Sequence, residues 1–123
     1  MTDAERELYD RAVKASENAY APYSNFRVGA AVRARDGRVF TGVNVENAAY
    51  PLGVCAEKSA IVAAVAVGCR PGDLEAIGIT ASPCGGCRQW LVEFGLDTVI
   101  YADNAGEVVS ATPASLLPDT FEL

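Results

Sequence analysis

Three cysteines and one glutamate hold most of the chemical potential of this sequence. Cys84-Gly85-Gly86-Cys87 has the two-residue gap that lets both thiolates reach one metal ion. Cys55 lies upstream, at the start of a separate apolar run. All three sit at expected helix starts, where unpaired N–H groups and partial positive charge favour thiolate over thiol. Three soft anionic ligands suit zinc. The remaining cysteine, Cys69, lies about four helical turns beyond Cys55, roughly 21 Å along a continuous helix, so it should not be a fourth ligand. Histidine is absent from the chain, and the site should therefore keep one coordination position open. That open position distinguishes a catalytic zinc from a structural one.

Glu57 follows Cys55 by two positions, a turn of about 200° around a helix. It should not chelate beside Cys55, but it can approach the open position from the side. Zinc lowers the pKa of bound water toward about 7, and a neighbouring carboxylate can take that proton and deliver it elsewhere. Three other readings of these residues stand beside this one. Cys84 and Cys87 could be a redox pair, the zinc site could be closed by a carboxylate, and Glu57 could be an ordinary ion-paired residue. The last fits poorly with a stretch otherwise so apolar, because an unexplained buried charge is costly.

The elements that must position these residues follow from periodicity and punctuation. Residues 3–20 predict an amphipathic helix with Leu8, Ala12, Ala15 and Ala19 on one face, ended by Pro22. Phe26 to Ala34 and Arg38 to Val45 predict two strands joined at Asp36-Gly37. Val54 to Val67 is apolar nearly all round and predicts a buried helix, stopped by Gly68 and Pro71. Leu74 to Thr80 predicts a strand, Cys84 to Phe94 a helix closed by Gly95, and Thr98 to Ala102 another strand. The turn Asp103 to Gly106, a short strand Glu107 to Val109 and a last helical turn Ala114 to Leu117 complete the chain. This alternation predicts one domain, residues 1–123, with an α/β fold: a three-layer α/β/α sandwich around a mixed sheet of about five strands. The starts of the two cysteine-bearing helices should then meet at one edge of the sheet, where ligands bind in such folds.

Composition narrows the partners. Half of the 123 residues are apolar, enough for a real core in one domain. Ten basic residues among sixteen acidic ones give a net charge of −6. No Lys/Arg stripe exists to hold a phosphate backbone, so a small neutral ligand is expected and a nucleic-acid polymer is not. No apolar run is long enough to span a bilayer, and the first residues carry acids where a signal peptide needs bases. A cytoplasmic location is expected, and there cysteines serve metal binding or catalysis more often than disulfides.

Cys55-Ala56-Glu57 with Pro83-Cys84-Gly85-Gly86-Cys87-Arg88-Gln89 resembles the small homotetrameric cytidine deaminases. The likeness extends through Pro22-Tyr23-Ser24-Asn25-Phe26, Val28-Gly29-Ala30-Ala31, Asn44 to Gly53 and Leu116-Leu117-Pro118. The resemblance implies one zinc per subunit on Cys55, Cys84 and Cys87, water adding at C4 of cytosine, and Glu57 carrying its proton to N3 and then to the departing amine. The products would be uridine, or 2′-deoxyuridine, and ammonia, a step of pyrimidine salvage. It further implies that Phe26 packs on the pyrimidine, Asn44 and Glu46 bind ribose hydroxyls, and the Ala56 N–H receives the base carbonyl. Tyr50 would reach a neighbouring subunit's site, and Phe121 would stack over another subunit's ligand. Read from physics alone, Phe26 and Phe121 fit core or surface aromatics, and Asn44 and Glu46 fit a solvated strand face.

One position departs from the family pattern. Lys58 stands where the family usually has an arginine whose fork grips ligand thiolates, and lysine cannot reproduce that fork. The expectation is that Lys58 and Arg88 together temper the thiolate charge. Deaminases of the nucleoside antibiotic blasticidin S share the zinc motifs and often lack that arginine. They also lack the ribose-binding glutamate, and Glu46 therefore favours cytidine and deoxycytidine as substrates.

Overall fold

The computed structural model describes residues 1–123. The first helix, α1, runs from Asp3 to Ser16 and begins with a capping box. The Glu5 N–H donates to the Thr2 hydroxyl at 3.1 Å, and the Thr2 N–H donates to the Glu5 carboxylate at 2.8 Å. Leu8 and Ala12 form its buried stripe. The helix ends at Ser16 instead of continuing to Tyr20. The Tyr20 backbone is engaged elsewhere: its N–H donates to the Asn44 carbonyl and its carbonyl accepts from the Glu46 N–H. A β-bridge to Val45 thus outcompetes a final helical turn.

Strands β1 (Gly29–Ala34) and β2 (Val39–Val43) form the expected antiparallel hairpin. The Gly37 N–H donates to the Ala34 carbonyl at 2.9 Å, and the Ala34 N–H to the Arg38 carbonyl at 2.8 Å. This leaves a three-residue loop whose last position, Gly37, has φ +96° and suits glycine. Both strands are shorter than periodicity predicts. Before β1, the Asn44 side chain takes over the polar backbone: its Oδ1 accepts from the Val28 N–H and its amide donates to the Phe26 carbonyl.

Helix α2 (Ala56–Ala66), strand β3 (Leu74–Ile79), helix α3 (Gly85–Phe94) and strands β4 (Thr98–Ala102) and β5 (Val108–Ala111) follow, with a last turn, α4 (Pro113–Leu116). The strand order is β2-β1-β3-β4-β5, with only β3 and β4 parallel. Alternate side chains of the sheet serve two cores. Ala31, Ala76 and Ile100 pack with Leu8 and Ala12 of α1, while Ala30, Val32, Ile77, Ile79 and Val99 pack with Ile61, Ala64 and Leu91 of α2 and α3. Helices therefore cover both faces, as the three-layer prediction requires. Close approach depends on glycine, since a Cβ at Gly29 would collide with the Ala12 carbonyl and one at Gly42 with the Ala60 N–H.

The expectation that α2 is buried all round needs correction. Ala56, Glu57, Ala60, Ile61 and Ala64 face inward, but Val62 is exposed, as are the flanking Val54 and Val67. One apolar face of this helix is uncovered in a single chain.

Candidate active site

The two helix starts that bear cysteines come together. Cys55 caps α2 and Cys84 caps α3, both in extended backbone conformations (φ −75°, ψ 154° and φ −70°, ψ 168°), and neither thiol is used in a capping hydrogen bond. Cys87 lies in the first turn of α3 and is buried. Strands β1 and β3 are neighbours, so the helices that flank β3 in sequence start near one another on the same sheet face. The three Sγ atoms lie within 4.8 Å of one another, and those of Cys55 and Cys84 are 4.0 Å apart. Sulfurs about 2.3 Å from a tetrahedral zinc are about 3.8 Å apart. The donor set therefore fits that ion with little adjustment. Cys69 is buried at the other end of α2, with its sulfur 3.8 Å from Arg38 Nη2, and it takes no part.

The thiols share charge. Hydrogen bonding from Cys87, then from Cys84, and the nearby Lys58 charge lower the Cys55 pKa to about 6, against the opposing effect of burial. The same contact and burial raise that of Cys87. One sulfur of the pair thus ionises readily while its partner retains the proton, and a metal ion would displace that proton. Glu57 is only 4% exposed. Burial raises its carboxyl pKa above the ordinary carboxylate range, although its own backbone N–H and the Cys87 thiol pull the other way. A buried acid beside three thiols, with its charged form disfavoured, suits the uptake and return of a proton.

Cys55 also forms part of the wall of a cavity of about 370 Å³ that includes Tyr23, Ser24, Asn44, Glu46 and Tyr50. The space suits a small molecule. Asn44 and Glu46 leave the end of β2 on the cavity side, as expected for groups that could meet a sugar. Both are already engaged with the preceding loop. Asn44 bonds Phe26 and Val28, and the Glu46 carboxylate accepts from the Tyr23 and Ser24 N–H groups and from the Ser24 hydroxyl. These bonds hold the Glu46 pKa down, Ser24 being the largest cause. Residue types gave no sign of Ser24 as a partner of Glu46, because the contact joins segments distant in sequence.

Ala56 is fully buried at the first position of α2, where a backbone N–H has no intrahelical acceptor. Tyr50 sits on a 3₁₀ turn (Tyr50–Leu52) and is 89% exposed. Phe26 and Phe121 are also exposed, and neither lines the cavity within one chain. Arg88 lies in the first turn of α3, one residue after Cys87. Its guanidinium donates to the carbonyls of Pro83 (2.8 Å) and Leu116 (2.9 Å) and to the Ser82 hydroxyl (3.3 Å). Its fork therefore ties the loop before α3 to the end of α4, and not to a sulfur. Lys58 Nζ lies 5.8 Å from the centre of the Trp90 ring and acts on Cys55 by charge at a distance.

Comparison with known proteins agrees with this geometry. Residues 2–103 match the family model described as the cytidine and deoxycytidylate deaminase zinc-binding region. The chain is 43% identical to the cytidine deaminase of Halalkalibacterium halodurans, over 93% of this chain and 91% of that one. Among solved structures, the Burkholderia pseudomallei cytidine deaminase is similar at a TM-score of 0.88 with 45% identity, covering 98% of this chain and 100% of the other. The Mycobacterium tuberculosis cytidine deaminase gives a TM-score of 0.83 with 38% identity over all of both chains. With its paired cysteine-bearing helix starts and mixed five-stranded sheet, the chain belongs to the zinc-binding cytidine and deoxycytidylate deaminase family.

Proposed function

We propose that this protein hydrolyses the exocyclic amine of cytidine and 2′-deoxycytidine, releasing ammonia and leaving uridine or 2′-deoxyuridine. The observation that carries the reading is the buried Glu57 carboxyl in a cluster with three sulfurs that lie within 4.8 Å of one another, one of which, on Cys55, belongs to a residue lining a cavity of about 370 Å³. Cys55, Cys84 and Cys87 would hold one zinc ion, which would supply a Lewis acid able to make water nucleophilic near neutral pH. Glu57 takes a proton from the attacking water and delivers it to N3 as the C4–O bond forms. It then takes the second proton from the new C4 hydroxyl and hands it to the amino group as the C4–N bond breaks and the C4 carbonyl forms, so that nitrogen leaves as ammonia. The Ala56 N–H donates to the base carbonyl, Phe26 packs against the pyrimidine, and Asn44 and Glu46 bind the sugar hydroxyls.

The enzyme acts as a homotetramer with shared active sites. Tyr50 and Phe121, exposed in the single chain, serve neighbouring sites, and the uncovered valines of α2 support burial between subunits. The setting is pyrimidine salvage in the cytoplasm. The acidic net charge, the four free cysteines and the lack of any helix long and apolar enough to cross a membrane accord with it. A panel of cytidine, deoxycytidine and blasticidin S, assayed for ammonia release with zinc measured alongside, tests the reading. Turnover of the first two with about one zinc per chain is expected. A zinc-loaded protein inactive on both would refute it.

A further inference from the structure

The loop from Tyr23 to Phe26 has no strand partner; besides the Asn44 amide on the Phe26 carbonyl and the Asn25 N–H on the Ala21 carbonyl, three of its donors converge on one carboxylate. Glu46 Oε1 accepts from the Tyr23 N–H at 2.9 Å and from the Ser24 N–H at 3.1 Å, and its Oε2 accepts from the Ser24 hydroxyl. The same hydroxyl oxygen accepts from the Phe26 N–H at 3.0 Å. Between them Asn25 takes a left-handed conformation, φ 58°, which turns the chain back on itself. One serine oxygen is thus bonded to both the sugar-side carboxylate and the backbone of the aromatic residue. A carboxylate has roughly four acceptor directions. Three protein donors leave Glu46 room for one more.

We propose that Ser24 is a positioning residue. It holds Glu46 so that its one remaining acceptor direction meets a single sugar hydroxyl of the nucleoside, and it fixes the Phe26 backbone relative to that point. The inference rests on the reading above that Glu46 contacts the sugar. Ser24 itself need not touch the substrate. Without its hydroxyl, Oε2 loses its donor and the Phe26 N–H loses its acceptor, so the carboxylate, still anchored at Oε1 by the Tyr23 and Ser24 N–H groups, can swing Oε2 away from the sugar.

Steady-state kinetics of the zinc-loaded enzyme on cytidine and on 2′,3′-dideoxycytidine test this, with Ser24→Ala and Glu46→Ala as the variants. A hydrogen bond to a charged group is worth about a tenfold change in affinity. Ser24→Ala should therefore raise the KM for cytidine about tenfold while kcat stays within about twofold. It should shift the KM for the dideoxy substrate by less than about twofold, since neither the 2′- nor the 3′-hydroxyl remains for Glu46 to meet. Equal losses on both substrates would mean general loosening of the loop and would overturn the inference. So would an unchanged KM for cytidine in Ser24→Ala when Glu46→Ala raises it. If Glu46→Ala leaves the KM for cytidine unaltered, the sugar-binding role of Glu46 fails, and the role of Ser24 fails with it.

Discussion

The two sides of the cavity are built by different means. The sulfur side consists of helix starts, and each cysteine has its place because a helix begins there and packs on a shared sheet face. The loop side consists of backbone held by the Asn44 and Glu46 side chains, with no regular ladder from Tyr23 to Val28. The sulfur corner is stiff, being built on helical backbone, and buries Cys87 and Glu57 although Cys84 is exposed, whereas the loop side is open and leaves Tyr50 and Phe26 exposed. Changes at the first should therefore abolish chemistry, and changes at the second should weaken binding.

The largest effect is expected at the stiff corner. Glu57→Gln should lower kcat by about 10²–10⁴-fold, the usual scale for a general acid–base group, while zinc content stays the same. Loss of zinc in that variant would show that Glu57 serves the metal and not the proton. Cys87→Ala should release the metal and lower stability, read as zinc per chain and as the unfolding midpoint; full zinc retention would contradict the three-sulfur site. On the open side, Asn44→Ala should raise KM more than it lowers kcat, and a pure kcat effect would erase the distinction between the two regions.

Smaller effects sharpen the comparison. Arg88→Ala leaves the Pro83 and Leu116 carbonyls without their donor and should cost about 1–3 kcal/mol in stability, measured by denaturant unfolding. Lys58→Arg should change the rate of zinc removal by chelator only if the new fork reaches sulfur, and equal rates would leave Lys58 acting through its charge alone. The raised Glu57 pKa gives a further check, with a definite sign. Between its unfolded and folded values the native state binds more protons, so Glu57 makes stability fall as pH rises through that window. Metal-free Glu57→Gln should thus unfold at a higher temperature than metal-free wild type at neutral pH, with the gap closing toward acid. A gap that widens toward acid would reverse the assignment.

Much of the stiff corner was legible in the residues because its signals are local. A two-cysteine gap, an apolar run and a terminating Gly95 (φ +66°) each act within a helical turn or two. The hairpin at Asp36-Gly37 was legible for the same reason. The end of α1 was not, because Tyr20 exchanges a helical turn for a bridge to Val45, a partner remote in sequence. The hydrogen bond from Arg88 to Leu116 was not legible either, because it depends on where α4 packs.

By itself the sequence singled out three cysteines as candidate ligands and Glu57 as the candidate acid–base residue, and it determined the order of helices and strands, since each depends on spacing along one segment. Only the tertiary structure decided that three sulfurs converge, that Glu57 loses its water, and that one serine bridges Glu46 to Phe26. It also decided that α2 keeps an apolar face uncovered. Those outcomes depend on distances between segments far apart in the chain, which are set by the packing of helices on the sheet and carry no mark in the local order of residues.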